Sequence, residues 1–190
     1  IPSVIVQAAT QRLGVEVLSC WGMSENGAVT IARPGDAAEK IFGTDGQAIG
    51  GMEVRVVDAQ GRPAPPDTVG PLQARGTFTF VGYLKKPELN AWDDEGWFET
   101  GDLARIDRDG YVRITGRTKD VIIRGGENIP VIEIENVLYR HPKMQDVAVV
   151  GMPDPRLGER ACAFVVPRPG ERPTFEEMTG FLAREGMARN

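Results

Sequence analysis

The sequence changes its pattern once, near Thr118, and that change limits the available folds more than any other feature. Between Gly50 and about Ile114 the residues group into short strand-like runs. Glu53-Val54-Arg55-Val56-Val57-Asp58 alternates in polarity, and Gly70 to Ala74, Leu103 to Ile106 and Tyr111 to Ile114 read as further strands. Turn-forming residues separate the runs: Asp58-Ala59-Gln60-Gly61, the prolines Pro63, Pro65 and Pro66, and Asp107-Arg108-Asp109-Gly110. Strands this short, joined by turns, predict a small barrel-like unit.

After Gly116 the order becomes β-α-β-β-α. Val121 to Ile123 reads as a strand. A helix starting at Pro130 sets Ile134, Val137, Leu138 and His141 on one face, and Pro142 stops it. Val147 to Val150 and Ala161 to Val166 are the next strands. A last helix opens on the capping box Thr174-Phe175-Glu176-Glu177 and ends near Gly186. The fold class expected is therefore α+β, a β-rich barrel-like subdomain followed by a small α+β domain. Ahead of both, Val4 to Leu13 reads as a helix ended by Gly14, Val15 to Cys20 as a strand, and Trp21 to Gly27 as a tight polar turn before Ala28 to Ile31.

Composition excludes several classes. The 22 Lys and Arg against 27 Asp and Glu give a net charge of −5, which argues against a nucleic-acid partner while leaving room for a local nucleotide site. Cys20 and Cys162 lie far apart in apolar stretches and read as buried free thiols. No apolar run has the length of a membrane span and no signal pattern opens the chain, so the expected compartment is cytoplasmic. The chain begins at Ile1 and stops just after a helix-like segment, which suggests a truncated piece of something longer. Nothing in the sequence sets an oligomeric state.

Four segments combine residue types that suit nucleotide chemistry. In Trp21-Gly22-Met23-Ser24-Glu25 the indole could stack a flat base, the hydroxyl could bond a phosphate oxygen, and the carboxylate could hold a hard cation such as Mg²⁺. A plain hairpin turn explains the same residues. Asp102, in Thr100-Gly101-Asp102, could accept two hydrogen bonds from a ribose diol if a loop presents it; a polar turn is the alternative. Arg117, in Gly116-Arg117-Thr118-Lys119-Asp120, could grip ribose or phosphate, or the run could be a solvated linker. Gly125 and Gly126 would let a ligand approach the backbone, or simply form a turn before a helix capped by Asn128. His141, the single histidine, reads as a helix-end residue and not as a base or ligand.

Taken in order, these segments resemble the adenylate-forming superfamily and within it the AMP-forming acyl-CoA synthetases. Trp21 to Glu25 is similar to the family's fifth core motif, Gly70 to Tyr83 to its sixth, Thr100-Gly101-Asp102 to its seventh, and GRTKDVIIRGGENI (Gly116 to Ile129) to its eighth. The sequence departs from the pattern in Trp21 for the usual tyrosine, Ser24 for threonine, and Pro71 for a glutamate.

The resemblance implies ATP-dependent activation of a small-molecule carboxylic acid through acyl-AMP, with transfer to CoA and with Mg²⁺ as cofactor. Trp21, Gly22, Met23 and Ser24 would line the ATP/AMP site, Ser24 contacting the α-phosphate. Glu25 would bind Mg²⁺, Asp102 the ribose hydroxyls, and Arg117 ribose or phosphate. Lys119 would be the hinge on which a small domain swings, and Gly125 and Gly126 would let the pantetheine arm of CoA pass. The implied division is 1–117 as the end of a large AMP-binding domain, 118–119 as hinge, and 120–190 as an incomplete small domain. The phosphate loop and the adenylation lysine of the family do not occur in these 190 residues, so the chain alone is expected to be inactive. A carrier-protein-loading adenylation domain and a non-catalytic nucleotide-binding module are the competing readings.

Overall fold

The computed structural model describes residues 3–129 and 131–187, which fall into two compact units divided between Thr118 and Lys119. The protein is of mixed α+β class, and the first unit carries a curled half-barrel sheet.

In the first unit, helix α1 (Ser3–Leu13) precedes a three-stranded antiparallel sheet of β1 (Cys20–Met23), β2 (Gly27–Ile31) and β3 (Gln47–Ala48), with the short helix α2 (Ala38–Gly43) between β2 and β3. The strand expected at Val15 to Cys20 is displaced. Residues 15–19 have no ladder partner among the described residues, whereas Cys20 to Met23 pair with Ile31 to Gly27. A strand forms where its partner runs, and Trp21 therefore lies in a strand and not in a turn.

The half-barrel is an antiparallel meander of β4 (Met52–Val56), β5 (Gly70–Gly76), β6 (Phe98–Ile106) and β7 (Val112–Arg117), neighbours in sequence order. The Asp58 turn forms because one carboxylate oxygen accepts the backbone N–H groups of Gln60 and Arg62. The Asp107 turn repeats the device toward Asp109 and Tyr111. The alternation in β4 and β5 buries Val56, Leu72 and Ala74, and these join Val29, Met52, Ala104 and Val112 in two adjoining apolar clusters. Trp21 and Val54 touch both clusters.

The second unit is a four-stranded antiparallel sheet in the order β10-β11-β8-β9: β8 (Ile122–Arg124), β9 (Glu127–Ile129), β10 (Met144–Asp154) and β11 (Gly158–Pro167). Helices α3 (Val131–Leu138) and α4 (Phe175–Arg184) pack Ile134, Leu138, Met178 and Leu182 around Ile122, Met144, Val147 and Val149. Strand β9 is an addition to the expected order. Asn128 pairs with Ile123 in it and so does not cap a helix; Pro130 lies outside the described residues. The β10–β11 hairpin is longer than its apolar residues indicate, and it accommodates Pro153 because β10 is an edge strand. The capping box of α4 is present in both directions, Thr174 Oγ1 accepting from Glu177 N and Glu177 Oε2 accepting from Thr174 N. His141 is buried after α3, edge-on to Phe181, and its Nδ1 accepts the Lys143 N–H. The cysteines depart from expectation: both are free, but Cys20 is exposed and Cys162 is only half-buried.

Candidate functional site

The β1–β2 hairpin presents Trp21, Gly22, Met23, Ser24 and Glu25 within five residues. A Cβ on Gly22 would sit 2.0 Å from the carbonyl oxygen of Gly27, so glycine is required here by the crossing of the hairpin's own strands. Trp21 lies at a register slip between itself and Gly22, half-buried against the core. Met23 is half-buried, and Ser24 is exposed at the turn.

Asp102 reaches this hairpin from strand β6 and not from a loop. The register between β5 and β6 passes from Pro71 opposite Leu103 to Gln73 opposite Glu99, so Thr100, Gly101 and Asp102 bulge out opposite Leu72. Gly101 takes the left-handed backbone the bulge needs, at φ +76°. Thr100 Oγ1 donates to the Leu72 carbonyl at 2.7 Å and accepts the Asp102 N–H, which replaces the interrupted ladder. Pro71, which has no N–H to give, sits at the edge of this break. On its other side Asp102 stays paired directly with Arg117 of β7.

Directly paired residues share a sheet face, and Arg117 Nε accordingly lies 3.3 Å from Asp102 Oδ1. The other carboxylate oxygen accepts the indole N–H of Trp21 at 2.9 Å. Asp102 is 7% exposed, one of few charged groups so deeply placed. Three residues from separate segments thus form one cluster.

Glu25 is held from the segment after β5. The Tyr83 hydroxyl donates to its Oε1, and its carbonyl accepts the Phe80 N–H at 2.7 Å. The bond to Glu25 pushes the Tyr83 phenol above its usual value. Beside Glu25, Asn26 is fully buried with neither polar side-chain atom hydrogen-bonded. Among the described residues no group of three or more His, Cys, Asp or Glu could hold a metal ion, and no helix is long and apolar enough to cross a membrane.

In the second unit Lys119 is exposed at its first position. Gly125 and Gly126 are the two turn residues of the β8–β9 hairpin, at φ +60° and +90°, with Arg124 paired to Glu127 on either side. Both central residues at positive φ define a primed hairpin turn, which favours glycine. A Cβ at Gly126 would meet nothing within 4 Å, so open space lies over that position.

Sequence reasoning assigned no partner to Tyr83, although the Gly82-Tyr83 pair stood in the segment singled out. It also did not find the Trp21–Asp102 bond, because no local signal joins residues 81 positions apart.

Comparison with known proteins matches residues 1–84 to the AMP-binding enzyme family and residues 133–188 to the AMP-binding enzyme C-terminal domain. The chain belongs to the adenylate-forming, AMP-binding enzyme family. It is 42% identical over 192 residues to the medium-chain fatty-acid–CoA ligase of Escherichia coli K12, covering 100% of this chain and 34% of that protein. It is equally 42% identical over 178 residues to the 2,3-dihydroxybenzoate–AMP ligase of Bacillus subtilis, covering 92% and 33%. The crystal structure of ATP-bound MatB from Rhodopseudomonas palustris superposes with a TM-score of 0.90 at 33% identity, over 98% of this chain and 37% of that one. The chain spans about a third of the length of the curated relatives it matches.

Proposed function

We propose that the protein activates a carboxylic acid with ATP and passes the acyl group to CoA. The observation that carries this reading is the convergence of Trp21, Asp102 and Arg117, an aromatic ring, a buried carboxylate and a guanidinium. Those groups suit a base, a ribose diol and a ribose or phosphate oxygen. Ser24, exposed on the same hairpin, serves the α-phosphate in this reading, beside Gly22 and Met23.

Glu25 is the metal residue of the proposal. Mg²⁺ is commonly bound by one or two carboxylates, with phosphates and waters completing its shell. A lone half-buried carboxylate oriented by Tyr83 fits that use, as the single protein ligand of an ion shared with the nucleotide. Such an ion supplies charge neutralisation at the phosphates.

The first half-reaction joins the acid to the α-phosphate and releases pyrophosphate; the second joins the CoA thiol to the acyl carbon and releases AMP. Residues 1–117 act as part of the AMP-binding domain and 120–190 as the small domain, with 118–119, including Lys119, as the hinge. The division of the chain between Thr118 and Lys119 supports that placement. The side-chain-free tip at Gly125 and Gly126 supports passage of the pantetheine arm. The resemblance to a fatty-acid–CoA ligase favours an aliphatic acid. Equal identity to an acid–AMP ligase supports a second reading, in which a carrier-protein thiol replaces CoA.

The test is mass spectrometry of the full-length protein with Mg-ATP, CoA and a panel of carboxylic acids. Acyl-CoA is the expected product. Acyl-AMP that never passes to CoA would move the assignment to a carrier acceptor, and absence of any adenylate would overturn it.

A further inference from the structure

We propose that Trp21 is a positioning residue for the ribose: its indole N–H, and not only its ring, sets the carboxylate of Asp102. The inference rests on the reading of Asp102 as the ribose-binding group. A carboxylate can turn about its last side-chain bond, and it presents a fixed pair of acceptors to a diol only when something stops that rotation. Its contacts include Trp21 on Oδ2 at 2.9 Å and Arg117 on Oδ1 at 3.3 Å.

They are not equal restraints. The Arg117 side chain is 70% exposed, and an exposed ion pair is screened and entropically loose. Trp21 is clamped by its ring between two apolar clusters, so its N–H points from a fixed origin. The bond is also charge-assisted, at a length expected for a strong one. The bulge explains why a restraint from outside the ladder matters: Asp102 has left the β5 ladder, and Thr100, β7 and the indole are among the groups that place it. A phenylalanine at position 21 would keep an aromatic face and lose the donor.

The experiment measures equilibrium binding of AMP and of 2′,3′-dideoxy-AMP to the full-length protein by calorimetry. It compares the natural chain with Trp21→Phe, with 3-benzothienylalanine at position 21, and with Asp102→Ala. Benzothienylalanine replaces the N–H by sulfur and preserves ring size, which guards against a Trp21→Phe variant that fails to fold. The expected result is that both Trp21 variants shrink the preference for AMP over the dideoxy nucleotide by roughly tenfold, a charge-assisted bond's contribution, while dideoxy-AMP binding hardly changes. Equal weakening of both nucleotides would assign Trp21 to stacking or packing alone and overturn the proposal. So would an unchanged preference in a protein where Asp102→Ala abolishes it. If Asp102→Ala itself leaves the preference intact, the ribose reading of Asp102 falls, and the positioning role falls with it.

Discussion

The hydroxyl of Tyr83 donates to the carboxylate of Glu25, and so the single acidic side chain of the β1–β2 hairpin is oriented by a residue 58 positions away. The same segment returns a backbone bond from Phe80 N–H to the Glu25 carbonyl. The hairpin tip is therefore held at both its main chain and its side chain.

Removing the phenol oxygen should loosen Glu25 without removing its charge. Partners that orient a ligating carboxylate matter to metal affinity, and Tyr83→Phe is expected to raise the half-saturating Mg²⁺ concentration roughly tenfold. The sign of the pH effect follows from the raised phenol: its bond is fully present below the ordinary tyrosine range and is lost as pH rises through the higher folded value. Activity titrated against Mg²⁺ at two pH values checks both, and an unchanged half-saturation in Tyr83→Phe would count against Glu25 as a metal residue.

Gly22, opposite Ala28, and Gly27, opposite Met23, lie diagonally across the hairpin, yet they should tolerate alanine differently. At Gly22 a methyl group would overlap the Gly27 carbonyl, and Gly22→Ala is expected to cost about 1–3 kcal/mol or more as the strands separate. At Gly27 there is open space and only the left-handed backbone to strain, at φ +62°, so Gly27→Ala should cost about 1–2 kcal/mol. Urea unfolding of the two variants distinguishes clash from strain.

Helix α4 carries its own pH dependence. Thr174→Ala should destabilise the second unit by about 1 kcal/mol through loss of the cap. The Lys143 ammonium, followed by the Thr174 N–H, holds Glu177 below its ordinary range. A carboxylate lowered in the folded state stabilises above its unfolded value and loses that contribution as pH falls through the lower, folded one. The protection factors of the α4 amides, corrected for the intrinsic pH dependence of exchange, should therefore fall on acidification, and Glu177→Gln should flatten the profile.

The β8–β9 turn separates shape from passage. Asn-Gly suits a primed two-residue turn, so Gly125→Asn should leave the fold intact. If the bare tip admits the pantetheine arm, that variant slows thioester formation while acyl-AMP formation keeps its rate. Stopped-flow measurement of each half-reaction is the check.

Lys119→Pro should show the same selectivity for a different reason. Proline fixes φ at 119 and restricts Thr118 before it, at the junction between the two units. Equal loss in both half-reactions would sink the hinge role.

Much of this architecture was legible because it is local. The Asp58 and Asp107 turns and the α4 capping box are each written within five residues, and each forms as the residue types demand. What could not be seen depends on partners. The start of β1 is set by where β2 runs, and β9 exists because Asn128 finds Ile123 across a turn. The location of Asp102 in a bulge follows from the β5 register, which no window around Thr100-Gly101-Asp102 contains. For the candidate site, motif order located the residues, but the bonds from Trp21 to Asp102 and from Tyr83 to Glu25 are tertiary facts.

The interruption at Thr100 to Asp102 also bears on how such a protein can change over generations. Residues in an unbroken ladder are inherited under the demand that the sheet persist, since each substitution is felt by both neighbouring strands. In the ladder Asp102 is paired with β7 and not with β5, and Thr100 carries the bond to Leu72 that spans the gap. Selection acting on the carboxylate is thereby partly released from selection acting on the barrel, so the side chain at this position can change while the framework around it stays constant.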